Sequence, residues 1–302
     1  MRSLLFVPAD SERKLNRGAD AGADALVLDL EDSVLPERKP TARVMLAEYL
    51  RSAPVQSQIW VRINDLTSGE LLKDLAAVVP LAPKGIVLPK IRGPEDLDVV
   101  AHYLDMAEAM HGVAAGSIAM VAVCTETPAA VLRMAELIAV KRPRWRGLIW
   151  GAEDLSSAIG AGDPRSPNGT WRAPYEHARV QCLLACHALK VQAIDTVYVD
   201  FKDLEGCRRN SEAARFDGFT GKVAIHPDQV AVINAAFTPS AAEIAYAKRV
   251  VAAFASGVGA VSLDGKMLDI PHLKAAKRTL NSAYGSSPPR EPNDTGGRTR
   301  GE

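Results

Sequence analysis

Residues 117–126 read SIAMVAVCTE, an apolar, strand-like run that stops at the carboxylate Glu126. The pattern recurs along the chain as SLLFVPAD (3–10), ADALVLDLED (23–32), QIWVRIN (58–64), GIVLPK (85–90), WRGLIWGAED (145–154), AIDTVYVD (193–200) and KVAIHP (222–227). Runs of about five apolar residues are typical of strands buried on both faces of a parallel sheet. Helix-like segments lie between these runs, and eight such units favour closure into a TIM (β/α)8 barrel, an α/β fold.

Seven of the eight runs end on a polar side chain that could bind or catalyse. These side chains are Asp29 with Glu31, Arg62, Lys90, Glu126, Asp154, Asp200 and His226. The first run ends without an obvious candidate. Because TIM barrels gather their chemistry at the carboxyl ends of the strands, the pattern predicts one active site at that end of the barrel.

The strand–helix alternation stops near residue 237, and the pattern changes. Residues 238–254 and 270–284 are helix-like and flank a glycine-rich turn, GVGAVSLDGKMLD (257–269). We therefore expect a barrel domain over 1–237 and a C-terminal helical extension, or lid, over 238–285. The tail, residues 286–302, is rich in proline, glycine and polar residues and is expected to be disordered. Within the barrel, GAGDPRSPNGTW (160–171) is long for a loop and is typical of binding loops or lids.

Composition excludes several classes of function. The chain has 302 residues, of which 47% are hydrophobic and 24% charged, and its 36 basic residues balance its 36 acidic ones. This balance argues against a nucleic-acid partner. No apolar run approaches the ~20 residues that cross a bilayer, so no membrane association is expected. The four cysteines show no metal-binding spacing and are expected to be buried thiols of a cytoplasmic protein.

Glu126 and Asp154 end consecutive strands, which lie about 4.8 Å apart in a sheet. Two carboxylates that leave other positions to water and substrate suit Mg²⁺, so we predict that this pair binds the metal. The alternative for Asp154 is that it caps the helix that follows it.

Arg62 ends an apolar run, where a guanidinium needs an anion. Its fork fits a substrate carboxylate, although an ion pair with Glu31 or Glu126 is the alternative. Asp29 and Glu31 alternate onto one face and are predicted to contact substrate or metal-bound water; salt bridges to Lys90 and Arg62 are equally compatible with the sequence. Lys90 is a weaker substrate-binding candidate.

These residues carry a family resemblance. The segments LLFVPA, ADALVLDLEDSV, VRIN, GIVLPK, TETP, GAEDL and SLDGKMLDIPHLKAA, in this order, resemble the citrate lyase β-subunit-like (CitE-like) CoA-ester lyases of the HpcH/HpaI aldolase superfamily. The likeness runs from residue 2 to about 280, with Ala9 in place of the family's usual glycine. It implies Mg²⁺ at Glu126 and Asp154 and substrate contact by Arg62. It also implies a homo-oligomer, a trimer or hexamer, in which catalytic Asp269 reaches a neighbouring subunit's site. The alternative for Asp269 is that it is the N-cap of the helix that begins with IPHLKAA.

The resemblance further implies Mg²⁺-dependent cleavage of a 3-hydroxy-3-carboxyacyl-CoA of the malyl-, citramalyl- or citryl-CoA type. The products would be a 2-keto acid and acetyl-CoA, with Asp269 and Arg62 as the catalytic residues. Three alternatives remain open at this point. They are the same site with added thioester hydrolysis, a true citrate lyase β subunit acting on citryl-acyl carrier protein, and a non-catalytic barrel that binds CoA or a dicarboxylate.

Overall fold

A computed structural model describes residues 1–52, 58–139, 142–167, 169–257 and 259–284. Internal contacts divide the chain into two units, Met1–Phe237 and Thr238–Glu302. Within the described residues, no helix has the length and apolar character needed to cross a membrane.

The first unit is a closed barrel of eight strands, each paired in parallel with its neighbours in chain order. The strands are β1 (Ser3–Pro8), β2 (Ala25–Asp29), β3 (Gln58–Arg62), β4 (Gly85–Leu88), β5 (Ala119–Val123), β6 (Trp145–Ile149), β7 (Gln192–Asp195) and β8 (Gly221–Ala224). The prediction of a TIM barrel from the repeated apolar runs is confirmed.

Helices connect the strands. They are α1 (Glu12–Ala19), α2 (Lys39–Ser52), α3 (Leu71–Val78), α4 (Pro94–His111), α5 (Pro128–Leu132), α6 (Met134–Leu137), α7 (Glu153–Ala158), α8 (Ala173–Leu189), α9 (Leu204–Asp217) and α10 (Pro227–Ala236). Short 3-10 turns at Pro36–Arg38 and Val79–Leu81 precede α2 and follow α3.

Most strand residues are buried, on both faces of the sheet, because the strands separate two apolar cores. Alternate strand residues, among them Val27, Trp60 and Val121, form the inner core of the barrel. Their neighbours along the strands, such as Leu28 and Val61, pack outward against the helices in the larger core. This two-sided burial explains why the strands read as continuous apolar runs instead of alternating ones.

Strand register brings together residues that the sequence separates. Asp29 and Arg62, the last residues of β2 and β3, are opposite each other in the ladder. The seventh strand corrects one prediction, because β7 ends at Asp195 and not at Asp200. Asp200 is exposed and lies in the following turn, where its carboxylate accepts hydrogen bonds from the backbone N–H groups of Lys202 and Asp203.

The second unit contains α11 (Ala241–Ala253), which ends in a 3-10 turn at Phe254–Ser256, and α12 (Ile270–Tyr284). The segment predicted as a glycine-rich turn contains an antiparallel hairpin, β9 (Ala260–Leu263) and β10 (Lys266–Asp269). The turn residues Asp264 and Gly265 have φ of 51° and 74°, the left-handed conformations that an Asp-Gly hairpin turn requires. The Asp-Gly pair was the missed signal. The predicted tail, 286–302, lies outside the described residues.

Candidate active site

A cavity of about 340 Å³ opens at the carboxyl ends of the barrel strands. Four of the predicted site residues line it, namely Asp29, Arg62, Glu126 and Asp154. Apolar side chains from the upper inner core complete its wall, including Phe6, Val123, Ile149 and Val223. The cavity therefore combines a few charged groups with apolar walls, as small-molecule sites usually do.

Arg62 is held by two carboxylates at the edge of the cavity. Its Nε and Nη2 donate to the two oxygens of Asp29 at 2.7 and 2.6 Å, and its Nη1 lies 3.1 Å from Oε2 of Glu31. Burial alone would raise the pKa of Asp29, but the Arg62 charge holds that pKa below its ordinary value. A guanidinium has five N–H donors, so three contacts leave two donors for a further anion.

Lys90 connects Glu31 to the far side of the cavity. Its ammonium contacts Glu31, lies 2.6 Å from Oδ2 of Asp32 and lies 3.4 Å from Oδ1 of Asp154. The surrounding carboxylates hold the pKa of Lys90 above its ordinary value even though burial acts to lower it. Lys90 has a left-handed backbone with φ of 52°, which is uncommon outside glycine and clusters at functional sites.

Glu126 is buried, with 5% of its surface exposed. Its Oε2 accepts a hydrogen bond of 2.5 Å from the backbone N–H of Lys90. Burial and the nearby negative charge of Asp154 raise the pKa of Glu126 to about 8. The carboxylate is therefore costly to ionise by itself, and a cation beside it would stabilise the charged form.

Asp154 lies in the first turn of α7 and not at a strand end. The helix begins at Glu153 with Ala152 as its N-cap, so Asp154 does not cap it. Its side chain is 34% exposed and faces the cavity that Glu126 also lines. Gly151 leaves space for the side chain of Glu126, since a Cβ at that position would lie 3.0 Å from Cγ of Glu126.

The donor set fits Mg²⁺. No three His, Cys, Asp or Glu side chains among the described residues form a metal cage by themselves. Two hard carboxylates with mutual repulsion, Glu126 and Asp154, nevertheless share a cavity. Mg²⁺ typically takes one or two protein carboxylates and leaves its other positions to water and substrate.

Two further candidates occupy other positions. His226 is the N-cap of α10, where its side chain accepts from the N–H of Asp228, and its ring stacks on Phe201 at 4.9 Å. These contacts give His226 a structural role at the start of α10. Asp269, the last residue of β10 in the second unit, has Oδ1 2.5 Å from Nδ1 of His272 in the first turn of α12.

A buried ion pair beneath the site was not predicted from the sequence. Lys222 on β8 is fully buried, and its Nζ lies 2.5 Å from Oδ2 of Asp195 at the end of β7. Nε1 of Trp150, which lines the cavity, donates to the other oxygen of Asp195 at 2.7 Å. A lysine within an apolar strand run was the available signal, since a buried ammonium needs an acidic partner.

Comparison with known families agrees with this architecture. Residues 2–227 match the HpcH/HpaI aldolase/citrate lyase family. Residues 178–285 match a family described as C–C bond lyases of the TIM-barrel fold.

Individual relatives cover nearly the whole chain. A mitochondrial citramalyl-CoA lyase of Rattus norvegicus is 32% identical, with 93% of this chain and 86% of the relative covered. A (3S)-malyl-CoA thioesterase of Cereibacter sphaeroides is 34% identical, with 93% and 94% covered. The crystal structure of CitE from Mycobacterium tuberculosis in complex with magnesium, acetoacetate and coenzyme A is similar at a TM-score of 0.78 and 32% identity. That alignment covers 93% of this chain and 97% of CitE.

Proposed function

This chain belongs to the HpcH/HpaI aldolase/citrate lyase family and is a carbon–carbon lyase, and we propose that it is a Mg²⁺-dependent lyase of CoA esters. Its substrate is a 3-hydroxy-3-carboxyacyl-CoA of the malyl-, citramalyl- or citryl-CoA type. The products are a 2-keto acid and acetyl-CoA. One observation carries the proposal: an apolar cavity unites two carboxylates with an arginine that keeps donors for a substrate anion.

Arg62 binds the substrate carboxylate through the two N–H groups that Asp29 and Glu31 leave free. These two acids hold the guanidinium in a fixed orientation, so binding the anion costs little reorganisation. Lys90 ties Glu31 to the Glu126 side of the cavity and keeps Asp154 close by. Asp29, Glu31 and Lys90 therefore act by positioning Arg62 and the two metal-binding carboxylates.

Glu126 and Asp154 hold Mg²⁺. When bound there, the metal supplies Lewis-acid stabilisation of the negative charge that the substrate's hydroxyl oxygen acquires. The hydroxyl group gives its proton to solvent and becomes the keto oxygen as the bond from its carbon to the thioester's α-carbon breaks. The electron pair of that bond moves into the thioester enolate. The apolar walls formed by Phe6, Val123 and Ile149 exclude water from this carbanion.

The enolate then needs a proton on carbon. We propose that Asp269 of a neighbouring subunit donates it, and that the same carboxylate is the base in the reverse direction. A homo-oligomer, a trimer or hexamer, is the corresponding assembly. Support comes from the family resemblance of the KMLD segment and from the position of Asp269 at the end of a hairpin, with its carboxylate half-exposed.

A second candidate adds hydrolysis of the thioester at the same site. The 34% identity to a (3S)-malyl-CoA thioesterase favours it. In that case the protein would release free CoA in addition to, or instead of, acetyl-CoA.

The experiment is to incubate the purified protein and Mg²⁺ with malyl-, methylmalyl-, citramalyl- and citryl-CoA and to identify every product by mass spectrometry. A keto acid with acetyl-CoA, or propionyl-CoA from the methylmalyl ester, indicates a lyase. Free CoA with the intact hydroxy acid indicates a thioesterase. Turnover of citryl-acyl carrier protein, but of none of these esters, would instead identify a citrate lyase β subunit. No turnover of any of them would contradict the proposal.

A further inference from the structure

The long loop between α7 and α8 has a defined structure over residues 163–167 and 169–172, here named the mouth loop. Arg165 and Trp171 form an antiparallel bridge within it. The N–H of Arg165 also donates to the carboxylate of Asp163 at 2.8 Å, and the N–H of Arg172 donates to the carbonyl of Pro164 at 3.0 Å. These contacts hold the two sides of the loop together.

One aromatic contact connects the mouth loop to the barrel, and a cation–π contact lies within the loop. Trp171 packs edge-on against Trp150, with ring centroids 4.7 Å apart and planes at 79°. Trp150 is fully buried and lines the cavity. The guanidinium of Arg165 lies 3.6 Å above the Trp171 ring, within the range of a cation–π contact. Arg165 is thus held beside the mouth of the cavity by a chain of aromatic contacts.

Arg165 carries a charge that the described part of the protein does not neutralise by direct contact. Its Nη1 donates to the carbonyl of Gly169 at 2.8 Å. No carboxylate among the described residues lies within ion-pair distance of it, in contrast to Arg62. Burial lowers the pKa of Arg165, and Asp195 and Glu153 oppose that effect only through longer-range attraction. A half-buried guanidinium without an anionic partner is a ready anion-binding group.

We propose that Arg165 binds a phosphate group of the CoA moiety at the mouth of the barrel. This inference rests on the proposed function, and it assigns the recognition of CoA to a residue outside the catalytic cavity. Ring stacking on Trp171 and the hydrogen bond from Nη1 to Gly169 leave the other N–H groups of the guanidinium to bind the oxygens of a phosphate.

The size of the cavity indicates that Arg165 binds a phosphate and not the substrate's carboxylate. The cavity of about 340 Å³ already contains Arg62 for the acid end of the ligand. Arg165 does not line that cavity; it lies next to Trp171, which packs on a residue of the cavity wall. The nucleotide end of a CoA ester is too large for the cavity and must lie outside it, where Arg165 is found.

The test measures binding of CoA, dephospho-CoA, pantetheine and pyruvate by calorimetry, without turnover. The variants are Arg165→Gln and Arg165→Lys. Arg146→Gln is the matched control, because Arg146 is an exposed arginine on β6 at the opposite end of the barrel. We expect Arg165→Gln to weaken CoA by about tenfold to a hundredfold, the usual range for a charge-assisted hydrogen bond. Arg165→Lys should recover part of the loss, and affinity for pantetheine and pyruvate should not change.

The ligands whose affinity falls in Arg165→Gln identify the chemical group that Arg165 contacts. If the loss disappears with dephospho-CoA, Arg165 binds the 3′-phosphate; if it persists, Arg165 binds the diphosphate. Equal weakening of pantetheine, or weakened pyruvate with unchanged CoA, would overturn the inference. So would unchanged CoA affinity in Arg165→Gln. If Arg165→Gln binds CoA normally and the wild type turns over CoA esters, only this inference fails. If the wild type neither binds CoA nor turns over CoA esters, the proposed function fails as well.

Discussion

The backbone N–H of Lys90 donates a 2.5 Å hydrogen bond to Oε2 of Glu126 from a left-handed conformation with φ of 52°. That conformation lets one residue serve two sides of the cavity. Its N–H orients Glu126, while its ammonium lies among the carboxylates of Glu31, Asp32 and Asp154. Backbone strain of this kind persists where surrounding contacts enforce it, and it marks the centre of the proposed active site.

Removing either proposed metal-binding carboxylate should abolish Mg²⁺-dependent turnover. We expect Glu126→Gln and Asp154→Asn each to lose Mg²⁺ affinity in calorimetry while melting at nearly the wild-type temperature. Asp200→Asn is the matched control, since Asp200 is an exposed acid in the turn after β7 and lies outside the cavity. Activity near the wild-type level in either site variant with EDTA present would refute the metal assignment.

Arg62→Lys should lose most activity although it keeps the positive charge. A lysine cannot hold Asp29 through two nitrogens and also present two donors to a substrate carboxylate. Steady-state kinetics should show a reduced kcat/KM, with Arg146→Lys unchanged as the control. If Arg62→Lys has wild-type kinetics, Arg62 is reduced to a structural ion pair with Asp29 and Glu31.

Asp269→Asn should stop proton exchange without preventing binding. General acid–base catalysis contributes about 10²–10⁴-fold in rate, whereas a helix-capping role affects stability by ~1 kcal/mol and leaves the chemistry intact. We expect the variant to bind Mg²⁺ and substrate but not to exchange the methyl protons of acetyl-CoA with solvent, as measured by NMR.

Mixed oligomers test whether Asp269 acts across subunits. Asp269→Asn subunits combined with Arg62→Ala subunits should recover part of the activity, because some sites would then contain both intact residues. A mixture as inactive as its parents, under conditions where subunits demonstrably exchange, rules out a shared site.

Asp195→Asn should destabilise the barrel strongly, because it leaves the fully buried ammonium of Lys222 without its anion. Breaking a buried pair in this way typically costs ~3–5 kcal/mol. Urea unfolding at pH 7 measures the loss. Adding Lys222→Met to Asp195→Asn should restore part of the stability, because it removes the unpaired charge. No recovery in the double variant would show that Lys222 stabilises the fold by other contacts.

The same pair predicts a dependence of stability on pH. Burial acts to raise the pKa of Asp195, but Lys222 and Arg179 together hold it below its ordinary value of 3.8. The folded state therefore gains stability from the ionised carboxylate above about pH 4, and this gain is lost as pH falls through the lower folded-state pKa. The free-energy difference between wild type and Asp195→Asn should shrink below pH 4. A constant difference down to pH 2 would contradict this assignment.

The amino-acid sequence by itself determined the barrel and much of the candidate site. Eight apolar runs alternating with helices specify parallel strands buried on both faces, and closure then brings their carboxyl ends together. For this reason Arg62, Glu126 and Asp154 could be selected from local pattern alone. The hairpin around Asp264 and Gly265 was also readable from its turn residues.

Only the tertiary structure decided which charges meet. The pairing of Arg62 with Asp29, the hydrogen bond from Lys90 to Glu126 and the buried pair of Asp195 with Lys222 join residues that are distant in the chain. The end of β7 at Asp195 and the packing of Trp171 on Trp150 likewise depend on tertiary contacts. The physical reason is that a local pattern fixes the face on which a side chain lies, whereas strand register and barrel closure fix its neighbours across the sheet.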